Sequence, residues 1–158
     1  MPQITKIIDR VIPKIECQNC FDVGIGDGET IGTIIPFFGV KDLYGCDPSC
    51  KPTNTVLAEQ VKYEDSSYYE QSFDLISFFD SLPCYYKIDG EKILDHAISK
   101  TNKLLIVWLP DGYYPYEPFK SCWHAEDFLK RGFCVYRAID IHQGPPTIAS
   151  GLLAYLIK

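Results

Sequence analysis

The chain is predicted to fold as an open, mostly parallel α/β sheet with helices on both faces and an antiparallel pair of strands at its C-terminal end. Three observations carry this. Short apolar runs alternate with segments of helical spacing from residue 4 to residue 110, the pattern of strand and helix units wound around a parallel sheet. One run, "KLLIVWLP", is apolar throughout, as a strand covered on both faces must be. The last two strand candidates are separated only by "QGPPTIAS", too short for a parallel crossover and suited to a turn.

In chain order, Ile4, Ile7, Ile8, Val11, Ile12 and Ile15 recur at helical spacing, with Pro13 as a kink or early stop. "CFDVGIG" reads as a short buried strand ending in glycine, and "ETIGTIIPFFGV" as a helix bounded by Pro36 and Gly39. "DLYGCDP" is a second strand ending at Asp47. "TVLAEQ" is predicted as a short helix, "VKYEDS" as the third strand and "FDLISFFD" as the fourth. "DGEKILDHAISKT" is a helix, and "KLLIVWLP" the fifth strand. A Tyr/Pro-rich loop, "DGYYPYEPF", leads to a helix in "WHAEDFLKRG" that stops at Gly132. "FCVYRAIDIH" and "GLLAYLIK" then form the hairpin. No linker or repeat divides the chain, so one domain over residues 1–158 is expected.

Composition excludes several classes. A net charge of −6 with scattered lysines and arginines weighs against a nucleic-acid partner, which asks for a basic face. No apolar run approaches the roughly 20 residues of a membrane span, and charges interrupt "MPQITKIIDR" where a signal peptide needs an apolar centre. A cytoplasmic protein is expected. Seven cysteines, odd in number and unevenly spaced, point to reduced thiols rather than a disulfide framework. A zinc site built from Cys17 and Cys20 with Cys46 and Cys50 is conceivable. The strand assignment places the two pairs on opposite rims of the sheet, so no metal is expected.

The glycine-rich turn "FDVGIGDGETIG" holds the sharpest signal. Strand, glycine turn and helix together let a ligand approach the backbone closely. A dinucleotide fingerprint needs a third glycine where Glu29 stands, which disfavours an NAD-dependent oxidoreductase. A phosphate loop needs a lysine, and none lies between residues 15 and 41. What stands here is Asp22-x-Gly24-x-Gly26-x-Gly28, with Asp47 at the tip of the next strand. A carboxylate there can accept ribose hydroxyls. The acidic turn would repel a pyrophosphate and tolerate a cation, which suits a nucleoside without phosphates.

These residues resemble the class I S-adenosylmethionine-dependent methyltransferases, along nearly the whole chain. "DVGIGDG" looks like their first motif, "LYGCDPS" like the acidic ribose motif, and "YEDS" like the adenine-contacting loop. "FDLISFFDSL" looks like their fourth strand and the terminal hairpin like their sixth and seventh strands, while "SCWHAEDFLKRGFCV" is similar to the last helix of small members. The resemblance implies a three-layer, Rossmann-like fold with a seven-stranded sheet. It also implies S-adenosylmethionine as methyl donor, S-adenosylhomocysteine as product and a small-molecule acceptor. Asp22 would anchor the turn, Gly24, Gly26 and Gly28 would border the methionine moiety, and Asp47 would hold the ribose. Asp65 and Ser66 would meet the adenine edge, and Phe79 with Asp80 would close the site. Many relatives carry Asp-x-Leu-Glu-His after the fourth strand where this chain reads Asp80-Ser81-Leu82-Pro83-Cys84. The Glu-His acid/base pair is therefore missing, as is an Asn-Pro-Pro-Tyr motif.

Methyl transfer is an in-line displacement, so positioning and desolvation can carry most of it, and a base is needed only for a protonated acceptor. Asp80 and His124 are the catalytic candidates, with Tyr113 and Tyr114 beside them. His96 reads as a surface residue, and His142 ends the sixth strand. The stretch 111–123 is the candidate acceptor wall, because ligands of open α/β sheets gather beyond the strand tips. The alternative to an enzyme is a chain that keeps the fold and acts as a binding or activating subunit.

Overall fold

The computed structural model describes residues 2–52, 57–144 and 147–158. Its strands are β1 (Asn19–Val23), β2 (Asp42–Cys46), β3 (Leu57–Glu59), β4 (Phe73–Phe79), β5 (Thr101–Pro110), β6 (Cys134–Gly144) and β7 (Thr147–Ile157). They form a single sheet in the order β3-β2-β1-β4-β5-β7-β6. The pairings from β3 through β5 are parallel, and β7 runs antiparallel to both β5 and β6. The predicted parallel sheet with its antiparallel end is thus observed. The four helices among the described residues are α1 (Pro2–Val11), α2 (Glu29–Ile34), α3 (Lys87–Lys100) and α4 (Ala125–Leu129).

Period-two alternation divides the strand residues between two cores. Phe21 and Val23 of β1, Ile76 and Phe78 of β4, and Leu105 and Val107 of β5 face the layer that holds α3 and α4. Cys20, Leu75, Leu104, Ile106 and Trp108 face the layer that holds α1 and α2. This is why "KLLIVWLP" shows no polar alternation: β5 is buried on both faces, between β4 and β7. Ile4, Ile7 and Ile8 bury the inner stripe of α1, and the helix ends before Pro13, as its proline requires.

Two expectations are corrected. The third strand lies at Leu57–Glu59, within the stretch predicted as helix, and Tyr63–Asp65, within the stretch predicted as strand, forms a 3-10 turn. The first residues of that predicted helix lie outside the described residues. The strand is set by pairing with β2, Tyr44 opposite Leu57 and Cys46 opposite Glu59, which no local pattern announces. His96 is half-buried rather than superficial. Its ring stacks on Tyr69 at 3.7 Å between centroids, and its Nε2 lies 2.8 Å from the Tyr69 carbonyl oxygen. It fastens α3 to the segment after β3. Cys20 stands opposite Leu43 and Cys46 opposite Val23, the two ends of the same strand pair. No group of three or more metal-ligating side chains occurs among the described residues, nor does any helix long and apolar enough to cross a membrane.

The order of the strands reverses between β1 and β4: the chain grows outward to β2 and β3 on one side and to β5 on the other. Connections leaving adjacent strands toward opposite faces open a crevice beyond their carboxyl ends.

Candidate functional site

A cleft of about 1360 Å³ opens at that crevice, and Gly24, Cys46, Asp47, Phe79 and Asp80 line it from the strand ends. The turn after β1 is stapled to β2, since the amides of Gly24 and Ile25 both donate to the Cys46 carbonyl, at 2.8 and 3.1 Å. Gly24 takes φ +78°, and a Cβ there would lie 2.3 Å from Cβ of Ser81. Only glycine lets the turn and the residues after β4 approach this closely. Gly45 of β2 plays the same part below, where a Cβ would come within 2.7 Å of Ile25 and 2.9 Å of the Asp22 carbonyl. A glycine inside an apolar strand run is the signal that could have found it.

Asp47 organises the second strand tip. Its Oδ2 accepts the Gly26 amide at 3.0 Å, and its Oδ1 accepts the amides of Ser49 and Cys50 at 2.8 and 3.1 Å. A carboxylate offers about four acceptor positions, so three are filled and one remains. Gly26 and Gly28 shape the turn, with φ +58° and +84°, and they do not line the cleft.

Asp22 lies behind the turn, 2% exposed, and is likewise absent from the lining. It accepts a 2.6 Å hydrogen bond from Ser77 Oγ, its neighbour on β4. Burial pushes its carboxyl up to about 7, the Ser77 bond opposes this, and the Asp47 charge adds to it. Asp22 is a support beneath the turn.

Asp65 and Ser66, expected at the adenine edge, are not among the residues that line the cleft. Ser66 is buried with its hydroxyl donated to Glu59 at 2.7 Å, and the exposed Asp65 does not reach the cleft. Lys62, Tyr63 and Glu64 line that wall instead. The segment is a 3-10 turn rather than the expected strand. Tyr85 reaches across from beyond β4, its hydroxyl 3.3 Å from Glu64 Oε2.

Of the catalytic candidates, Asp80 lines the cleft and His124 does not. His124 caps α4, its amide donating to Asp127 Oδ2 at 2.9 Å, and its imidazole lies 3.5 Å from Asp111, which also pairs with Arg137. Asp80 carries φ +56°, the one non-glycine residue with positive φ among the described residues, and its amide donates to the Trp108 carbonyl at 2.8 Å. Such a conformation persists only where the surroundings hold it, and it concentrates at ligand sites. Ser81, which sequence reasoning passed over, presents a buried Oγ with no hydrogen-bond partner against Gly24. A buried hydroxyl left unsatisfied points to a polar ligand group.

The outer wall is the loop after β5. Tyr114, Pro115, Tyr116, Phe119 and Lys120 line the cleft, while Tyr113 is 77% exposed and is not part of the lining. The amides of Lys120 and Ser121 both donate to the Pro83 carbonyl, at 2.7 and 3.2 Å, so the loop is tied to the exit of β4. Trp123 anchors its far end: it is fully buried, its Nε1 donates to Ser121 Oγ, and Lys87 Nζ sits 3.9 Å above its ring.

No protein-family model matches the chain, and no curated protein matches it either. Solved structures do. The chain is similar to the N-methyltransferase NodS from Bradyrhizobium japonicum WM9, with TM-score 0.73 and 13% identity, over 99% of this chain and 95% of that one. It is similar to the small RNA methyltransferase HEN1, with TM-score 0.71 and 14% identity, over 99% of this chain but only 25% of that one. It is also similar to the magnesium protoporphyrin IX methyltransferase ChlM from Synechocystis PCC 6803 with bound SAM, with TM-score 0.60 and 13% identity, over 98% of this chain and 76% of that one. At these identities the likeness is one of fold: the chain has the methyltransferase fold.

Proposed function

We propose that this chain is an S-adenosylmethionine-dependent methyltransferase, one domain whose cleft beyond β1, β2 and β4 takes the methyl donor together with a small acceptor. The observation that carries this is the convergence of Gly24, Ser81 and Asp47 on one cleft. Gly24 and Ser81 meet too closely for any Cβ, the Ser81 hydroxyl lacks a partner, and the Asp47 carboxylate keeps one acceptor position. These groups fit a nucleoside carrying an amino-acid arm: Asp47 would accept a ribose hydroxyl, and Ser81 with the Gly24 backbone would meet the arm. The wall of Lys62, Tyr63 and Glu64 would border the adenine, taking the part expected of Asp65 and Ser66.

When bound, S-adenosylmethionine supplies a methyl group on a sulfonium, whose C–S bond electrons return to sulfur as the acceptor's lone pair takes the carbon. Phe79 and the tyrosines of the wall line the cleft and would exclude water from the strand tips once it is filled, which strengthens the electrostatic contacts there. Asp80, held in its strained conformation in the lining, would take the proton an acceptor loses.

Calorimetric titration with S-adenosylmethionine, S-adenosylhomocysteine and NAD tests the reading. The first two should bind at micromolar concentration, NAD should not, and Asp47→Ala should abolish binding. A folded protein that takes up neither sulfur compound sinks the proposal. Binding without turnover across a broad acceptor panel would favour an activating subunit.

A further inference from the structure

The cleft holds more than the donor accounts for. Sites for one drug-sized ligand measure roughly 300–1,000 Å³, and this one measures about 1360 Å³. Its outer part lies between the residues after β4 and the loop after β5, and aromatic rings dominate it. Tyr86 and Tyr116 are 64% and 54% exposed, and Phe119 packs edge-on against Tyr116 at 5.0 Å between centroids. Large aromatic faces left to solvent around a cleft are contact surface without a contact.

The charges of the lining divide by whether they have partners. Four carboxylates are among them: Asp80 stands at the end of β4, Asp47 is engaged by three amides, Glu64 by the Tyr85 hydroxyl, and Asp89 is on α3. Asp89 sits in the first turn of α3, where the aligned peptide dipoles favour a carboxylate. The cations differ. Lys62, Lys92 and Lys120 line the cleft, and none lies within 4.0 Å of a carboxylate among the described residues. Over the whole lining the four carboxylates outnumber these three ammonium groups, so an anion is favoured only locally, beside an ammonium group and away from the strand tips. Lys120 is the best placed, for its Nζ lies 5.1 Å from the centroid of the Tyr86 ring while its backbone is fixed to Pro83.

We infer that the acceptor is a small aromatic acid: a planar ring lying among Tyr86, Tyr116 and Phe119, with an anionic group beside the ring that meets Lys120. This rests on the methyltransferase reading and adds the acceptor's chemistry to it. An aliphatic acid would leave the aromatic faces without stacking partners. A neutral aromatic would forgo the charge contact with Lys120. Asp80 stands deeper, at the strand tips, where the methylated atom would lie and where a second carboxylate would be repelled.

Ligand-observed NMR with the full chain, run with and without S-adenosylhomocysteine, tests this using benzoate, its neutral twin benzamide, the saturated cyclohexanecarboxylate, and uridine monophosphate. Benzoate should bind about tenfold more tightly than benzamide, as a charge-assisted contact requires, and more tightly than cyclohexanecarboxylate. Lys120→Met should erase the preference of benzoate over benzamide while leaving benzamide unchanged, and it should leave the affinity for S-adenosylhomocysteine at the wild-type value. Equal binding of benzoate and benzamide, or of benzoate and cyclohexanecarboxylate, overturns the inference. Tighter binding of uridine monophosphate than of benzoate overturns it in favour of a nucleotide acceptor. Failure of S-adenosylhomocysteine to bind would count against the donor site and is read separately, because the arms without it still report on the acceptor wall.

Discussion

The Gly26 amide donates to Asp47 Oδ2 across 3.0 Å, so the turn after β1 and the acid after β2 are one hydrogen-bonded unit. A ligand that meets Asp47 therefore also feels the conformation of the glycine turn.

Asp47→Asn separates these two parts. The amide oxygen can still accept from Ser49 and Cys50, but an NH2 group facing Gly26 cannot accept its N–H. Loss of one bond to a charged acceptor should cost about 1.5–3 kcal/mol. Urea unfolding should show the loss in the free protein, and calorimetry should show weaker binding of S-adenosylhomocysteine. Wild-type stability in this variant would mean that the unit is not formed in solution.

Gly24→Ala places a methyl group 2.3 Å from Ser81 Cβ on a backbone at φ +78°. The left-handed conformation alone costs an L-residue roughly 1–2 kcal/mol, and the contact forces the residues after β4 to retreat. Stability should fall by at least that amount, and affinity for S-adenosylhomocysteine by more than about tenfold. Gly26→Ala, with open space around its Cβ, should be milder in both assays; the reverse order would discredit the close approach as the cause.

Asp22 makes stability depend on pH with an inverted sign for a carboxylate. Its folded value of about 7 lies above its ordinary 3.8, so the native state holds a proton that the unfolded chain has lost. The stabilisation it contributes is complete below the ordinary value and disappears as the pH rises through about 7. Asp22→Asn keeps an acceptor for Ser77 and removes the titration. Urea midpoints taken at about pH 5 and about pH 8 should show the wild type losing more stability than the variant on going to the higher pH. Parallel behaviour of the two proteins would rule the assignment out.

Gly90→Ala sets two effects of opposite sign against each other. Helix propensity favours alanine inside α3 by about 0.8–1.0 kcal/mol. The new Cβ, however, would sit 2.8 Å from Cζ2 of Trp123, and overpacking costs about 1–3 kcal/mol. Net destabilisation and a shifted tryptophan fluorescence are expected. A stabilised variant with unchanged emission would show that Trp123 yields easily.

Wherever a periodic pattern and a turn residue agreed, the sequence was legible. β1 with its glycine turn, β4 and β5 fall where their residues indicated, because each buries a face long enough to leave a pattern, and the terminal hairpin does too, except that its strands run on into "QGPPTIAS", the stretch expected as turn. β3 did not, since Leu57–Glu59 is too short to alternate and owes its conformation to Tyr44 and Cys46 across the ladder. For the site, spacing placed residues near strand tips but could not orient them. Asp80 points into the cleft, whereas His124, at the end of the same loop that walls it, turns to Asp111. Ser81 was hidden for a further reason: its significance lies in a hydroxyl without a partner, a property that exists only after folding.

The bridge between Gly112 and Trp123 closes the loop after β5 at its base, with the Gly112 amide donating to the Trp123 carbonyl at 2.8 Å. Residues 113–122 thus form a cassette whose two ends are already joined on the scaffold. Such a segment can be exchanged for one of another length without moving β5 or α4. Transplanting loops between these two anchors would be the natural way to re-tune what the cleft admits while the sheet beneath keeps its register.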